Sequence, residues 1–315
     1  MSFKTKYIPY KNTGAFSKIV LDYLAHEPRL KPFYAAQFGI EGVRKHIESR
    51  KSISLNRVLL VDELKKQYHA TETTALVKAN IESLSNTNTF TVCTAHQPNI
   101  FTGHLYFIYK IIHAIKLADE LNAAIPENHF VPVYYMGSED ADLDELGKGM
   151  INGKEYKWET KQKGEVGRML VDRAFTGLID ELDGQLSVER FGTEIISLLR
   201  KCYTVNKTIE QATFELVNAL FAEFGLVVFL PDNASLKSTF IPVIKKELKE
   251  RFSNKLVKET IEALPQEYKV QVYGRDINLF YLEGDLRERI EAKDGGYTVV
   301  NTSLFFSEEE MESEI

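Results

Sequence analysis

The chain has 315 residues, 44% hydrophobic and 27% charged, with a formal net charge of -6. That length can bury a sizeable core and more than one folding unit, and the mild acidity gives no general attraction to nucleic acid or an anionic membrane surface. Two cysteines, Cys93 and Cys202, are too few for a disulfide framework or a metal knuckle, so a reducing, cytoplasmic setting is expected.

The opening MSFKTKYIPYKNTGAF lacks the apolar stretch of a secretory leader. The longest apolar runs, such as Leu226 to Leu230, fall far short of the ~20 residues that span a bilayer. Ala15 to Phe38 mixes helical spacing with Phe16, Tyr23, Phe33, Tyr34 and Phe38, and predicts helices wrapped against a sheet. Gly39 to Leu84 reads as helical, with Val58, Leu59, Leu60, Leu64 and Tyr68 largely on one face, until Ser85 to Asn88 breaks the pattern. Thr89 to Ala95 (TFTVCTA) is β-branched and apolar, which predicts a buried strand with an inert Cys93 thiol inside it.

The loop His96 to His104 follows. Leu105 to Asn122 then predicts an amphipathic helix, with Leu105, Ile108, Ile111, Ile112, Ile115, Ala118 and Leu121 spaced by threes and fours. Phe130 to Met136 is a second buried strand leading into the acidic loop GSEDADLDE. Strand, helix and strand make a βαβ unit, for which parallel pairing and a right-handed crossover are expected. Gly149 to Arg200 is polar and dotted with glycine, which suggests an inserted subdomain. Leu226 to Leu230 is a strand, PDNAS a loop, and Leu236 to Phe252 a helix disturbed at Pro242. Tyr268 to Tyr273 and Leu279 to Leu282 read as short strands, and Ser307 to Ile315 as the start of a helix. The fold class is α/β: a mostly parallel sheet flanked by helices, with an inserted connecting segment.

In such a sheet, ligands bind outside the carboxyl ends of the strands, near helix N-termini that favour anions. The first strand end delivers His96, Gln97, Asn99, Thr102, Gly103 and His104, with Tyr106, Tyr109 and Lys110 on the first turns of the helix. The second delivers Ser138, Glu139, Asp140, Asp142, Asp144 and Glu145 to the same edge. Each has a plainer reading. His104 can be a polar helix-start residue, the tyrosines packing aromatics, the acidic run a solvated loop, and His113 and His129 structural. Convergence of two polar loops at one sheet edge favours a site. The acidic loop does not match an EF-hand, and there is no phosphate-binding P-loop, no GxGxxG and no GxSxG.

The run HQPNIFTGHLYFIYKIIHAIKLADEL followed by VPVYYMGSEDADLDEL resembles the signature of the bacillithiol biosynthesis cysteine-adding enzymes, and GLVVFLPDNASLK and YGRDINLFYLEGDLRERIE agree with it. The resemblance implies a Rossmann-like core at 1–148 and 211–315 with a connecting insertion at 149–210, similar to class I aminoacyl-tRNA synthetases. It implies a cytoplasmic ligase adding cysteine to the amino group of glucosaminyl malate. Gln97, Lys110, Glu139 and Asp140 are then the catalytic candidates, and His96, Asn99, Thr102, Gly103, His104, Tyr106, Tyr109, Ser138 and Asp142 the binding ones. ATP with Mg²⁺ is the suspected activating pair, Asp142 and Asp144 being able to hold the ion through water. No nucleic acid or membrane partner is expected. His104 stands where the family has proline, and Ala141 where it has histidine. The family also continues into a C-terminal coiled coil used for dimerisation, which this sequence does not reach. A nucleotidylyltransferase-like or amide-hydrolysing enzyme acting on an amino sugar stays open, as does a non-catalytic truncated relative.

Overall fold

The computed structural model describes residue 4 and residues 6–314. The leader reading therefore falls partly outside the described residues, and Ile315 wholly so. In chain order the helices are α1 (Lys18–Leu24), α2 (Ile40–Lys51), α3 (Arg57–Tyr68), α4 (Ala75–Ser83), α5 (Tyr106–Ala124), α6 (Leu143–Leu146), α7 (Arg173–Leu186), α8 (Gly192–Cys202), α9 (Ile209–Phe221), α10 (Ala234–Lys237), α11 (Ile241–Glu250), α12 (Phe252–Ala263) and α13 (Glu308–Glu314). The strands are β1 (Thr89–His96), β2 (His129–Met136), β3 (Lys148–Ile151), β4 (Lys154–Lys157), β5 (Val227–Phe229), β6 (Phe280–Glu283), β7 (Leu286–Lys293), β8 (Gly296–Val299) and β9 (Phe305–Ser307). Two compact units result, one of Met1–Ile53, Val243–Leu279 and Ile290–Ile315, the other of Ser54–Pro242 and Phe280–Arg289.

The larger unit is built on the parallel sheet β1-β2-β5. β1 and β2 pair over their whole length, from Thr89 opposite His129 to His96 opposite Met136, and Val133 to Tyr135 pair with Val227 to Phe229. α5 connects β1 to β2. Its end is fixed by Asn122, whose side chain accepts from Phe130 N (2.8 Å) and donates to Phe130 O (2.9 Å). The free edge of β5 is closed by side chains of α3: Gln67 Nε2 donates to Val228 O, Leu230 N donates to Gln67 Oε1, and Val228 N donates to Tyr68 Oη. Side-chain capping of an edge strand satisfies backbone groups and blocks pairing with another chain.

Several local expectations are corrected. β2 is buried along most of its length, but β1 alternates and Cys93 is exposed, because β1 is the sheet's edge and one of its faces lies open. The Cys93 thiol itself remains partly desolvated, which pushes its pKa up and keeps it unreactive. On α3 the buried face is Val61, Leu64 and Tyr68, while Val58 is exposed. On α5 it runs through Phe107, Ile111, Ile115, Ala118 and Leu121, leaving Leu105 and Ile112 in solvent. No strand forms at Tyr268 to Tyr273, and β6 belongs to an antiparallel hairpin with β7. The predicted helix at 236–252 is three pieces: α10, a 3-10 turn at Ser238–Phe240, and α11. Pro242 is tolerated in the first turn of α11, where a missing N–H is harmless.

The polar stretch after residue 148 builds a core of its own. The β3–β4 hairpin, α7, α8 and one face of α9 enclose Trp158, Phe175, Ile179, Leu182 and Tyr203, all essentially without solvent contact. Asp172 caps α7 by accepting from Phe175 N and also accepts from the Trp158 indole.

The smaller unit contains α1, α2, α12, α13, β8 and β9. Tyr23 packs edge-on against Tyr34, and Asp22 accepts from Tyr268 Oη. α13 opens with a reciprocal cap. Ser307 N and Oγ both donate to Glu310 Oε2, and Glu310 N donates back to Ser307 Oγ. Among the described residues no helix is long and apolar enough to cross a membrane.

Candidate active site

The turn after β1 is shaped by backbone that side chains rarely adopt. Phe101, Thr102 and Gly103 all have positive φ, at 51°, 71° and 62°. A Cβ at residue 103 would stand 2.7 Å from Asn99 Cβ, so only glycine lets the chain fold back over Asn99. Asn99 is buried and its Oδ1 has no hydrogen-bond partner. Thr102 belongs to the same turn, with Asn99 beneath Gly103.

His96 ends β1. Its Nδ1 lies 3.1 Å from Gln97 O and its Nε2 3.1 Å from Tyr106 Oη. A carbonyl only accepts, so Nδ1 carries the proton and Nε2 accepts from the Tyr106 hydroxyl. Burial lowers the His96 pKa, and nearby Lys110 acts in the same direction, so the ring stays neutral and positions Tyr106. His104 stacks on Tyr106 with ring centroids 5.6 Å apart.

The two strand-end loops meet. Gln97 Nε2 donates to Asp140 Oδ2 at 3.0 Å, and Gly137 N donates to His96 O at 2.8 Å. His96, Gln97, Tyr135, Glu139, Asp140 and Arg287 line an open depression of about 340 Å³ at the carboxyl end of the sheet. Arg287, from the β6–β7 hairpin, stacks over the Phe280 ring at 4.1 Å.

A second layer of charge adjoins it. Gly167 N donates to Ser138 O and Val166 N to Asp140 O, which clamps the segment 165–168 onto the β2 loop. A Cβ at 167 would come within 2.5 Å of Ser138 O, so this close approach requires glycine. The clamp delivers Glu165 and Arg168. Arg168 grips Asp232 with two bonds of 2.7 and 2.9 Å, and Lys237 pairs with Asp232 (2.7 Å) and with Glu139. For Asp232 burial acts upward, but the Arg168 and Lys237 bonds outweigh it and hold the carboxyl below its usual range. Lys237 is correspondingly held above its ordinary pKa against burial. Glu165 is shifted up, chiefly by burial. Glu210, in the first turn of α9, is pushed up to about 7 by burial and by the like charges of Asp232, Glu139 and Glu165, with Ser138 opposing.

The predicted residues thus separate. Gln97, Glu139, Asp140, His96, Tyr106, His104, Asn99 and Ser138 are gathered around the two loops. Lys110 instead donates to Ala95 O at the outer edge of β1, and Tyr109 is 65% exposed on α5. Asp142 caps α6 by accepting from Glu145 N. Asp144 is a solvated partner of Lys157. These two carboxylates do not converge on one point, and among the described residues no group of three or more His, Cys, Asp or Glu is placed to hold a metal. The donor set does not fit a Mg²⁺ held by Asp142 and Asp144.

Sequence reasoning passed over Glu165, Arg168, Glu210, Asp232, Lys237 and Arg287. Asp232 and Lys237 follow β5, so the strand-end rule applied a third time would have found them. Glu210 looks like an ordinary acidic residue after the Thr208 cap, and nothing local marks Glu165.

A parallel sheet covered by helices, with its polar groups gathered beyond the strand carboxyl ends, defines a Rossmann-like α/β domain. The model of the bacillithiol biosynthesis BshC N-terminal Rossmann-like domain matches residues 3–315, and the chain belongs to this family. Proteins named "Putative cysteine ligase BshC" are similar along nearly all of it. That of Flavobacterium psychrophilum is 42% identical over 98% of the chain, and that of Flavobacterium johnsoniae 41% over 99%. That of Salinibacter ruber is 27% identical over 95%. The chain spans only 58%, 59% and 56% of these relatives' own lengths. The family places it in bacillithiol biosynthesis.

Proposed function

We propose that this domain takes part in joining cysteine to the amino group of glucosaminyl malate, as the Rossmann-like portion of a carbon–nitrogen ligase. The observation that carries the reading is the direct bond between the two strand-end loops, from Gln97 Nε2 to Asp140 Oδ2. It ties the polar turn after β1 to the acidic loop after β2 beside an open depression. Amide formation needs an activated cysteine carboxyl and an unprotonated amine. Asp140, oriented by Gln97 through one oxygen, keeps its other oxygen for a sugar hydroxyl or amine. Neutral His96 fixes the Tyr106 phenol, whose remaining lone pairs accept from the substrate. Arg287 offers a planar guanidinium to a carboxylate of the malyl group.

The test is a thermal-shift titration of this chain with glucosaminyl malate, with and without ATP, Mg²⁺ and cysteine. A ligand at 100 times its dissociation constant adds about 2.7 kcal/mol to stability. The expected result is a saturable shift with glucosaminyl malate that glucosamine and malate do not reproduce, abolished in Asp140→Ala. No shift with any of these ligands, from a cooperatively folded sample, would overturn the assignment.

A further inference from the structure

The cluster beyond β2 and β5 holds four carboxylates, Glu139, Glu165, Glu210 and Asp232, and two cations, Arg168 and Lys237. The cations are unevenly shared. Asp232 takes both hydrogen bonds from Arg168 and one from Lys237, and Glu139 takes the rest of Lys237. Glu165 is 3% exposed, and although Arg168 Nε lies 2.9 Å away, neither of its carboxylate oxygens has a hydrogen-bond partner. Beside it, Ser138 is 1% exposed and its Oγ is likewise without a partner, with the Glu210 carboxyl near enough to feel it. Buried acceptors left open in this way are costly unless something fills them.

We infer that Glu165, Glu210 and Ser138 Oγ form a subsite for the primary ammonium group of a substrate. The inference rests on the ligase reading and adds residues that neither strand-end motif contains. An ammonium carries one positive charge and three N–H donors, matching two unneutralised carboxylates and one hydroxyl oxygen. A metal fits less well, since no metal-holding group is present among the described residues. The position of Glu165 is enforced: the 165–168 clamp holds it by two backbone bonds to the β2 loop, and Gly167 permits the approach. Every charged group facing Glu210 is on the page: Glu139 from the β2 loop, Glu165 and Arg168 from the clamp, Asp232 and Lys237 from the β5 loop. Their balance leaves Glu210 titrating near neutrality. When an ammonium arrives, the Glu210 carboxyl ionises and its proton leaves to solvent. With the ammonium in place, Glu210 as carboxylate takes one N–H proton, leaving a neutral amine and a carboxylic acid.

Two substrates of the proposed reaction carry a primary ammonium, the amino sugar and cysteine, and the experiment separates them. Calorimetric titrations of this chain would use glucosaminyl malate against its N-acetyl form, and cysteine against N-acetylcysteine. Each is run at pH 7 in two buffers of different ionisation enthalpy to count protons. The wild type should prefer the free amine of one pair by at least tenfold, with net proton release. Whichever pair discriminates names the source. Glu210→Gln and Glu165→Gln, which preserve side-chain volume, should each lower the free-amine affinity to that of the N-acetyl compound and leave the latter unchanged. Glu210→Gln should also abolish the proton release. Equal binding within both pairs, or a preference that survives both substitutions, overturns the subsite and spares the ligase reading. If the wild type binds none of the four compounds, the ligase reading falls and the subsite with it.

Discussion

At the scale of single residues, the site is governed by which buried polar atoms have partners. Asp232 is over-supplied with donors, whereas Glu165, Ser138 and Asn99 are under-supplied, although all four lie close to the same strand ends. Glu210 shows the consequence for stability. Its folded pKa of about 7 lies above its ordinary value of 4.5, so its contribution is fully present below about pH 4.5 and is lost as pH rises through 7. Glu210→Gln removes that dependence. In urea titrations the variant should match the wild type near pH 4.5 and exceed it by about 2–3 kcal/mol at pH 8, at ~1.4 kcal/mol per pKa unit. Equal stability of the two proteins at pH 8 would mean that the cluster relaxes around the charge. In the sequence, Glu210 is indistinguishable from the acidic residue that helix N-termini commonly carry.

At the scale of elements, strands and their connecting helix follow from local chemistry, and edges do not. TFTVCTA and FVPVYYM both read as buried strands, yet only β2 has neighbours on both sides. β1 keeps an open face with Cys93 on it, while β5 is sheltered by α3. Gln67 is central to that shelter, bonding Val228 O at 2.9 Å and Leu230 N at 3.2 Å. Gln67→Ala should cost about 1–3 kcal/mol, read as a lower urea midpoint with an unchanged slope, because two partly buried backbone groups lose their partners. A loss below about 0.5 kcal/mol would show that water replaces the side chain without penalty. The periodicity of α3 announces its buried face, but no pattern in the sequence says that Gln67 and Tyr68 will meet a strand about 160 residues away.

At the scale of the molecule, the larger unit carries two hydrophobic clusters joined by α9. Phe214 and Val217 face the sheet cluster, while Ile209, Ala212 and Leu216 face the cluster of Trp158 and Phe175. One helix contributing to both makes them a single cooperative structure, so damage to one should be felt in the other. Phe175→Ala, at a side chain with no solvent exposure, should destabilise by about 3–5 kcal/mol. Hydrogen exchange of the most protected amides of β1 and β2 should speed up by the same free energy. If β1 and β2 keep their wild-type protection, the clusters unfold independently and α9 is no bridge.

The sequence by itself determined the α/β class, the βαβ unit from Thr89 to Met136 and the two polar loops that carry Gln97, Glu139 and Asp140. These depend on periodicity, turn chemistry and contiguous motifs, all properties of neighbouring residues. Only the tertiary structure decided that the polar stretch after residue 148 hides a second core and that Lys110 and Asp142 serve the backbone. It alone brought Glu165, Glu210 and Asp232 together with Ser138 beyond the strand ends. Those three carboxylates are separated by 45 and 22 residues of chain, and their juxtaposition is set by clamps such as the bonds of residues 166 and 167 to the β2 loop. Burial and like-charge repulsion act through space, so the groups most strongly altered by the fold are those whose sequence neighbours reveal least.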